Sequence, residues 1–137
     1  MVDVSTRLWA DTIRAIEWDC ARLINRYALL NDAHRWDEVT AMFIPDGRLT
    51  RPSAPDAPIV GHAAILAAFL ARPARTTRHV CSNIVIEVLD HATARGESAM
   101  LLFTDKDSAP LIGGFKDRFV RTADGWRFAE RRGTLSF

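Results

Sequence analysis

Four β-rich segments follow one another in the second half of the chain with no helical pattern between them. Residues 77–89 are rich in β-branched side chains, and 94–104, 111–122 and 126–135 read as three more strands. The breaks are Asp90-His91, residues 105–110 and Ala123-Asp124-Gly125, the last a hairpin turn signal. Strands in such a series pair as a meander. The first half reads differently. Between Leu8 and Leu30 helical spacing puts Ile13, Ile16, Cys20, Leu23, Ile24 and Tyr27 on one stripe. A second helix is predicted over 35–43, burying Trp36, Val39, Met42 and Phe43 and stopped by Pro45-Asp46-Gly47. A short strand over 48–51 and a loop carrying Pro52, Pro55 and Pro58 follow. Gly61-His62 opens a third helix over 63–71, with Pro73 beyond its end.

Helices first and strands afterwards make an α+β chain. The expected architecture is a cone-shaped, curved antiparallel or mixed sheet wrapped around three N-terminal helices, with an internal pocket. Gly96, Gly113 and Gly114 lie inside strand patterns, where glycine permits bends and bulges. A curved sheet closed by helices leaves a conical cavity suited to a small molecule.

The length of 137 residues fits one domain, 1–137. With 18 basic and 17 acidic residues the net charge is +1, and no basic stripe marks a nucleic-acid binder. All the basic residues except Lys106 and Lys116 are arginines, a choice that favours internal pairing with carboxylates. The longest apolar run, 63–71, is far short of the ~20 residues of a membrane span. Charged residues through the first helix leave no apolar core for a secretory signal, and two cysteines make no disulfide framework. The expectation is a cytoplasmic protein without membrane or nucleic-acid partners. No two histidines have metal-ligand spacing, so no metal is expected.

Several polar residues interrupt the apolar patterns. In a strand over 77–89, His79, Cys81, Asn83 and Val85 would share one face. Two readings of His79 and Asn83 stand: a buried pair satisfied by backbone groups, or a general base in a cavity. Asp32 ends the first helix, where the dipole disfavours a carboxylate. It either serves the turn or points inward and fixes the tautomer of a histidine. Tyr27, the only tyrosine, is a core residue or a hydroxyl that polarises a substrate carbonyl. His34, His62 and His91 read as surface residues. Arg131-Arg132 face a carboxylated ligand or pair near Glu130.

In order and spacing, Tyr27-x4-Asp32-x3-Trp36-Asp37, Phe43-x2-Asp46-Gly47, Gly61-His62-x2-Ile65, Arg78-His79-x3-Asn83 and Gly125-Trp126-Arg127-Phe128 resemble the nuclear transport factor 2-like superfamily, in its SnoaL-like branch. The likeness spans residues 10–134 and within the branch is nearest to scytalone dehydratase and the bile-acid 7α-dehydratases. It implies a cofactor-independent, dehydratase-like lyase acting on a small apolar cyclic molecule, with His79, Asp32 and Tyr27 as catalytic residues. Asn31, Trp36, Asn83 and Ser98 are implied as substrate-binding residues. Asn31 stands where scytalone dehydratase has a tyrosine, and Ser98 near its second histidine. The resemblance further implies a homo-oligomer, dimer or trimer. A ketosteroid isomerase would carry its aspartate base before the proline at Arg51-Pro52, and this chain has arginine there. A polyketide cyclase or isomerase, a non-catalytic small-molecule binder and a dioxygenase β-subunit-like interaction protein are the alternatives.

Overall fold

The computed structural model describes residues 3–136 as three helices and one six-stranded sheet. The elements are α1 (Val4–Asp32), α2 (Trp36–Ala41), β1 (Phe43–Thr50), β2 (Ile59–Val60), α3 (His62–Leu70), β3 (Arg78–Val88), β4 (Thr93–Phe103), β5 (Leu111–Thr122) and β6 (Gly125–Leu135). The sheet order is β2-β1-β6-β5-β4-β3. The last four strands form the antiparallel meander, and β1 joins it parallel to β6. Curved, mixed and unclosed, the sheet has the expected α+β architecture.

α1 forms because its apolar residues repeat at helical spacing. Ile16, Cys20, Ile24 and Tyr27 are the buried stripe, and they pack against Ala94, Phe119, Trp126 and Phe128 of the sheet. α3 adds Ile65 and Phe69, one turn apart. Each large apolar side chain so buried contributes about 1.5–3 kcal/mol. Glycines let the meander close up. A Cβ on Gly113 would sit 2.0 Å from the Thr134 carbonyl oxygen, and one on Gly114 would sit 2.5 Å from that of Ser98. The backbones of β4, β5 and β6 therefore approach more closely there than any side chain allows.

The structure departs from the sequence reading at the start of the sheet. Pro45-Asp46-Gly47 does not end a helix but lies inside β1, and Phe43 is the strand's first, buried residue. The pairing of β1 with β6 is interrupted between Phe43 and Arg48. A proline is tolerated in a strand where no ladder bond is required of it. The proline-rich loop ends in the two-residue β2, which pairs with Arg48 and Leu49.

Two bulges set which side chains face inward. Between Ser82 and Val85, β3 carries one residue more than β4 opposite, and Asn83 has φ 52°. His79 and Cys81 face inward before the bulge, and Ile84, Ile86 and Val88 after it. In β6 the pairing moves from Phe128 to Glu130 while β5 moves by one residue, leaving Ala129 unpaired. That extra residue turns Arg131, and not Arg132, into the core. Among the described residues no helix is long and apolar enough to cross a membrane.

Candidate active site

Asp32 is the last residue of α1, and β3 begins beside it. Its carboxylate accepts three hydrogen bonds from that neighbour segment. The His79 ring Nδ1–H donates to Oδ1 at 2.6 Å, the Thr77 hydroxyl donates to Oδ1 at 2.9 Å, and the His79 backbone N–H donates to Oδ2 at 2.9 Å. These bonds offset the few tenths of a kcal/mol by which the helix C-terminus disfavours a negative charge. The two side chains are only 9% and 10% exposed, for His79 and Asp32 respectively. With Nδ1–H assigned as the donor to a carboxylate, the neutral ring carries its free lone pair on Nε2.

His79 lines a cavity of about 210 Å³ whose wall includes Tyr27, Asn31, Phe69, Met100 and Phe115. It also lines an adjoining cleft of about 300 Å³ with Asn31, His34, Trp36 and Thr77. The turn after α1 shapes this cleft. His34 adopts φ 58°, stacks on Trp36 at 5.3 Å and bonds the Arg75 carbonyl through Nε2. Trp36 in turn stacks on Phe69 at 4.9 Å. The result is an aromatic wall facing the Asp32–His79 pair.

Tyr27 enters from the same helix, five residues before Asp32. Four phenylalanine rings, Phe43, Phe69, Phe115 and Phe128, meet it edge-on, and the Arg131 guanidinium lies 4.3 Å from its ring centroid. Burial raises the Tyr27 phenol above its ordinary value, against the opposing pull of Arg131. At neutral pH the hydroxyl is therefore a proton-bearing donor. Both cysteines are free; burial pushes the Cys20 thiol up to about 12 and raises Cys81 as well, so neither is an activated thiolate.

The other expected residues divide. Asn31 lines both cavities, and Trp36 lines the cleft. Asn83 does not join them: the bulge turns it away from the His79 face and leaves it exposed. Ser98 faces inward and is buried, with its hydroxyl unpaired, yet it does not line either cavity. Among the described residues no group of three His, Cys, Asp or Glu side chains could hold a metal ion. His62, expected at the surface, is partly buried and bonds the Phe43 carbonyl at 2.7 Å. A larger open groove, about 580 Å³, crosses the outer sheet face between Glu87, Arg95, Lys116 and Arg132. Of the candidate residues only Arg132 reaches it.

Sequence reasoning missed two features. One is a fully buried pair, Arg131 with Asp117 at 3.1 Å, whose guanidinium is stacked 3.7 Å from the Phe115 centroid. Its only signal is the charged residue on an inward strand position, which the Ala129 bulge conceals. The other is the arginine content of the cavity rim: Arg51, Arg72 and Arg75 all line it.

The SnoaL-like domain model matches residues 14–132. No curated protein matches the sequence. Several solved structures share the fold. A provisionally named scytalone dehydratase from Novosphingobium aromaticivorans is 22% identical, with a TM-score of 0.81 over 93% of this chain and 89% of its own. A nuclear transport factor 2-like protein with a cystatin-like fold from the same organism is 21% identical, with a TM-score of 0.86 over 99% and 92%. A provisionally named aromatic ring hydroxylase, also from that organism, is 19% identical, with a TM-score of 0.78 over 90% of each chain.

Proposed function

The chain belongs to the SnoaL-like family, and from that premise we propose that it is a cofactor-independent acid–base enzyme, a dehydratase-type lyase acting on a small cyclic substrate. The observation that carries this reading is the 2.6 Å bond between Asp32 and the ring of His79 at the wall of a cavity shared with Tyr27. The name of the scytalone dehydratase-like neighbour is in keeping with it.

His79 Nε2 removes a proton from the carbon next to a carbonyl, and the C–H electron pair passes into an enolate. Asp32 stabilises the imidazolium that forms and keeps the ring in the productive tautomer. The protonated Tyr27 hydroxyl donates a hydrogen bond to the enolate oxygen. The enolate collapses as the β-carbon–oxygen bond breaks, and His79 returns its proton to the departing hydroxyl, which leaves as water. General acid–base catalysis of this kind supplies about 10²–10⁴ in rate.

The test is turnover across a panel of cyclic β-hydroxyketones, followed as loss of water by mass. Wild-type turnover that disappears in His79→Ala, with the melting temperature retained, is the expected result. Turnover unchanged in that variant overturns the assignment to His79, and substrate binding without wild-type turnover across the panel leaves a cavity that binds without catalysis. The homo-oligomer implied by the family is addressed by sedimentation, and a monomer would remove it.

A further inference from the structure

The cavity beside His79 has three arginines in its wall and no acid. Arg51, Arg72 and Arg75 border the 210 Å³ part, and Arg72 and Arg75 also border the adjoining cleft. Neither part has an Asp or Glu among its lining residues, since Asp32 sits behind the histidine it holds. Among the described residues, none of the three guanidiniums is in a salt bridge.

Their neutral partners are few. Arg51 donates to the Ala68 carbonyl at 2.8 Å, but its Nε is buried without a partner. Arg72 reaches only the Asn31 side-chain oxygen, at 3.4 Å. Both lie on the Phe69 ring, at 5.7 Å and 5.2 Å from its centroid, and Arg72 is 6.0 Å from Trp36. Thr50, 1% exposed, lines the same wall with its hydroxyl unpaired. Burial lowers the Arg72 pKa, and the charges of Arg51 and Arg75 add to that effect.

Holding cationic groups partly out of water without a counter-charge is unfavourable. The same fold pairs its deepest arginine, Arg131, with Asp117. At the cavity the counter-charge is missing from the protein. The guanidiniums of Arg51 and Arg72 are held over the Phe69 ring, and the buried Nε of Arg51 is shut off from water, an arrangement suited to planar recognition of an oxyanion. The chain's net charge of +1 hides this local excess.

We propose that Arg51 and Arg72, with Arg75 at the rim, form a subsite for an oxyanion carried by the substrate, a carboxylate or phosphate on a ring compound. The proposal rests on the reading of this cavity as a substrate site, and it replaces an uncharged substrate with an anionic one. The ring body lies toward Tyr27 and His79, and the anion lies against the guanidiniums.

Calorimetric titration at pH 7 with 2-naphthoate, 2-naphthyl phosphate and the neutral isostere 2-naphthamide tests it. At least one anion should bind about tenfold or more tightly than the amide, as charge-assisted pairing with arginine implies. The tighter of the two anions identifies the source of the charge. The preference should fall about tenfold in Arg72→Gln or Arg51→Gln proteins that keep their melting temperature. In His79→Ala the preference should persist, so failure of the catalytic reading and failure of the subsite give different results. Equal affinity of wild type for all three probes, or no binding of either anion at millimolar concentration, overturns the proposal whether or not the variants fold. A preference unchanged in both arginine variants overturns it too.

Discussion

Asp32 holds His79 at two points, through the ring Nδ1 at 2.6 Å and through the backbone N–H at 2.9 Å. A single contact would orient the ring alone. Two contacts from one carboxylate also anchor the start of β3 to the end of α1, so side-chain position and strand position are set together. Both oxygens are committed as acceptors, and no proton is left for either to donate.

Asp32→Asn should therefore fail in one of two ways. If the amide nitrogen faces the ring, Nδ1 must become an acceptor and the tautomer reverses, with turnover falling about 10²–10⁴-fold. If it faces the backbone, the His79 N–H loses its acceptor at a cost of about 1–3 kcal/mol. Turnover and urea denaturation of the same variant distinguish the two outcomes. Full activity with unchanged stability would contradict the role given to the pair.

Asn83 offers a prediction of the opposite kind. Its φ of 52° lies in the left-handed region, which a β-branched residue enters at a cost of about 1–2 kcal/mol. Asn83→Val should lower stability by that amount. Asn83→Gly should change it by only a few tenths of a kcal/mol, because glycine takes the same conformation freely. Turnover of Asn83→Gly should match wild type, since the residue is exposed and away from the cavity. A large catalytic loss in that variant would restore it to the site.

The same residue shows why the site was only partly legible. Helical spacing placed Tyr27 on the apolar stripe of α1, turn residues placed Asp32 at its end, and strand composition placed His79 near the start of β3. Period-two alternation then assigned Asn83 and Val85 to the His79 face. One inserted residue reverses the parity, and Val85 is 68% exposed while Ile84 and Ile86 join the core. Asparagine tolerates the left-handed conformation, so the bulge had a sequence trace. The run of Ile84, Ile86 and Val88 on even positions, opposite in parity to His79 and Cys81, was a second sign. The Ala129 bulge in β6 has no comparable trace, because alanine marks nothing. Arg131 and Arg132 therefore could not be told apart by alternation. The arginine rim is a third case: Arg51, Arg72 and Arg75 come from separate segments, and only the fold brings them together.

Tyr27 should stay protonated well into alkaline pH. Burial raises its folded-state pKa, and the unfolded chain should titrate near the ordinary value of about 10. The stability contributed by the neutral phenol is thus complete below about pH 10 and is lost as pH rises through the higher folded value. Tyrosinate absorbance reads this directly, because the chain has one tyrosine. The native midpoint should exceed that measured in guanidinium. A native midpoint at or below the denatured one would mean that Arg131 outweighs burial. Tyr27→Phe should cut turnover about 10²–10³-fold, the usual loss on removing one donor to a developing oxyanion.

Asp117 should make stability fall with pH in a window where carboxylates usually make it rise. Its carboxyl is buried, and burial pushes it up to about 6 despite the pull of Arg131 at 3.1 Å. A carboxyl raised in the folded state favours folding while protonated. Its contribution is full below the unfolded value near 4 and is lost as pH rises through about 6. Asp117→Asn removes that titration and keeps the shape. Urea denaturation of both proteins from pH 4 to pH 7 should show wild type losing stability relative to the variant as pH rises. The reverse slope would mean that Arg131 holds the carboxylate ionised throughout, with attraction in the pair exceeding the cost of dehydrating it. The comparison also bears on the cavity, because Arg131 lies on the faces of Tyr27 and Phe115. If loss of its partner lets Arg131 shift, the Tyr27 titration should move in the Asp117→Asn protein, and the two measurements would then report one coupled unit beneath the site.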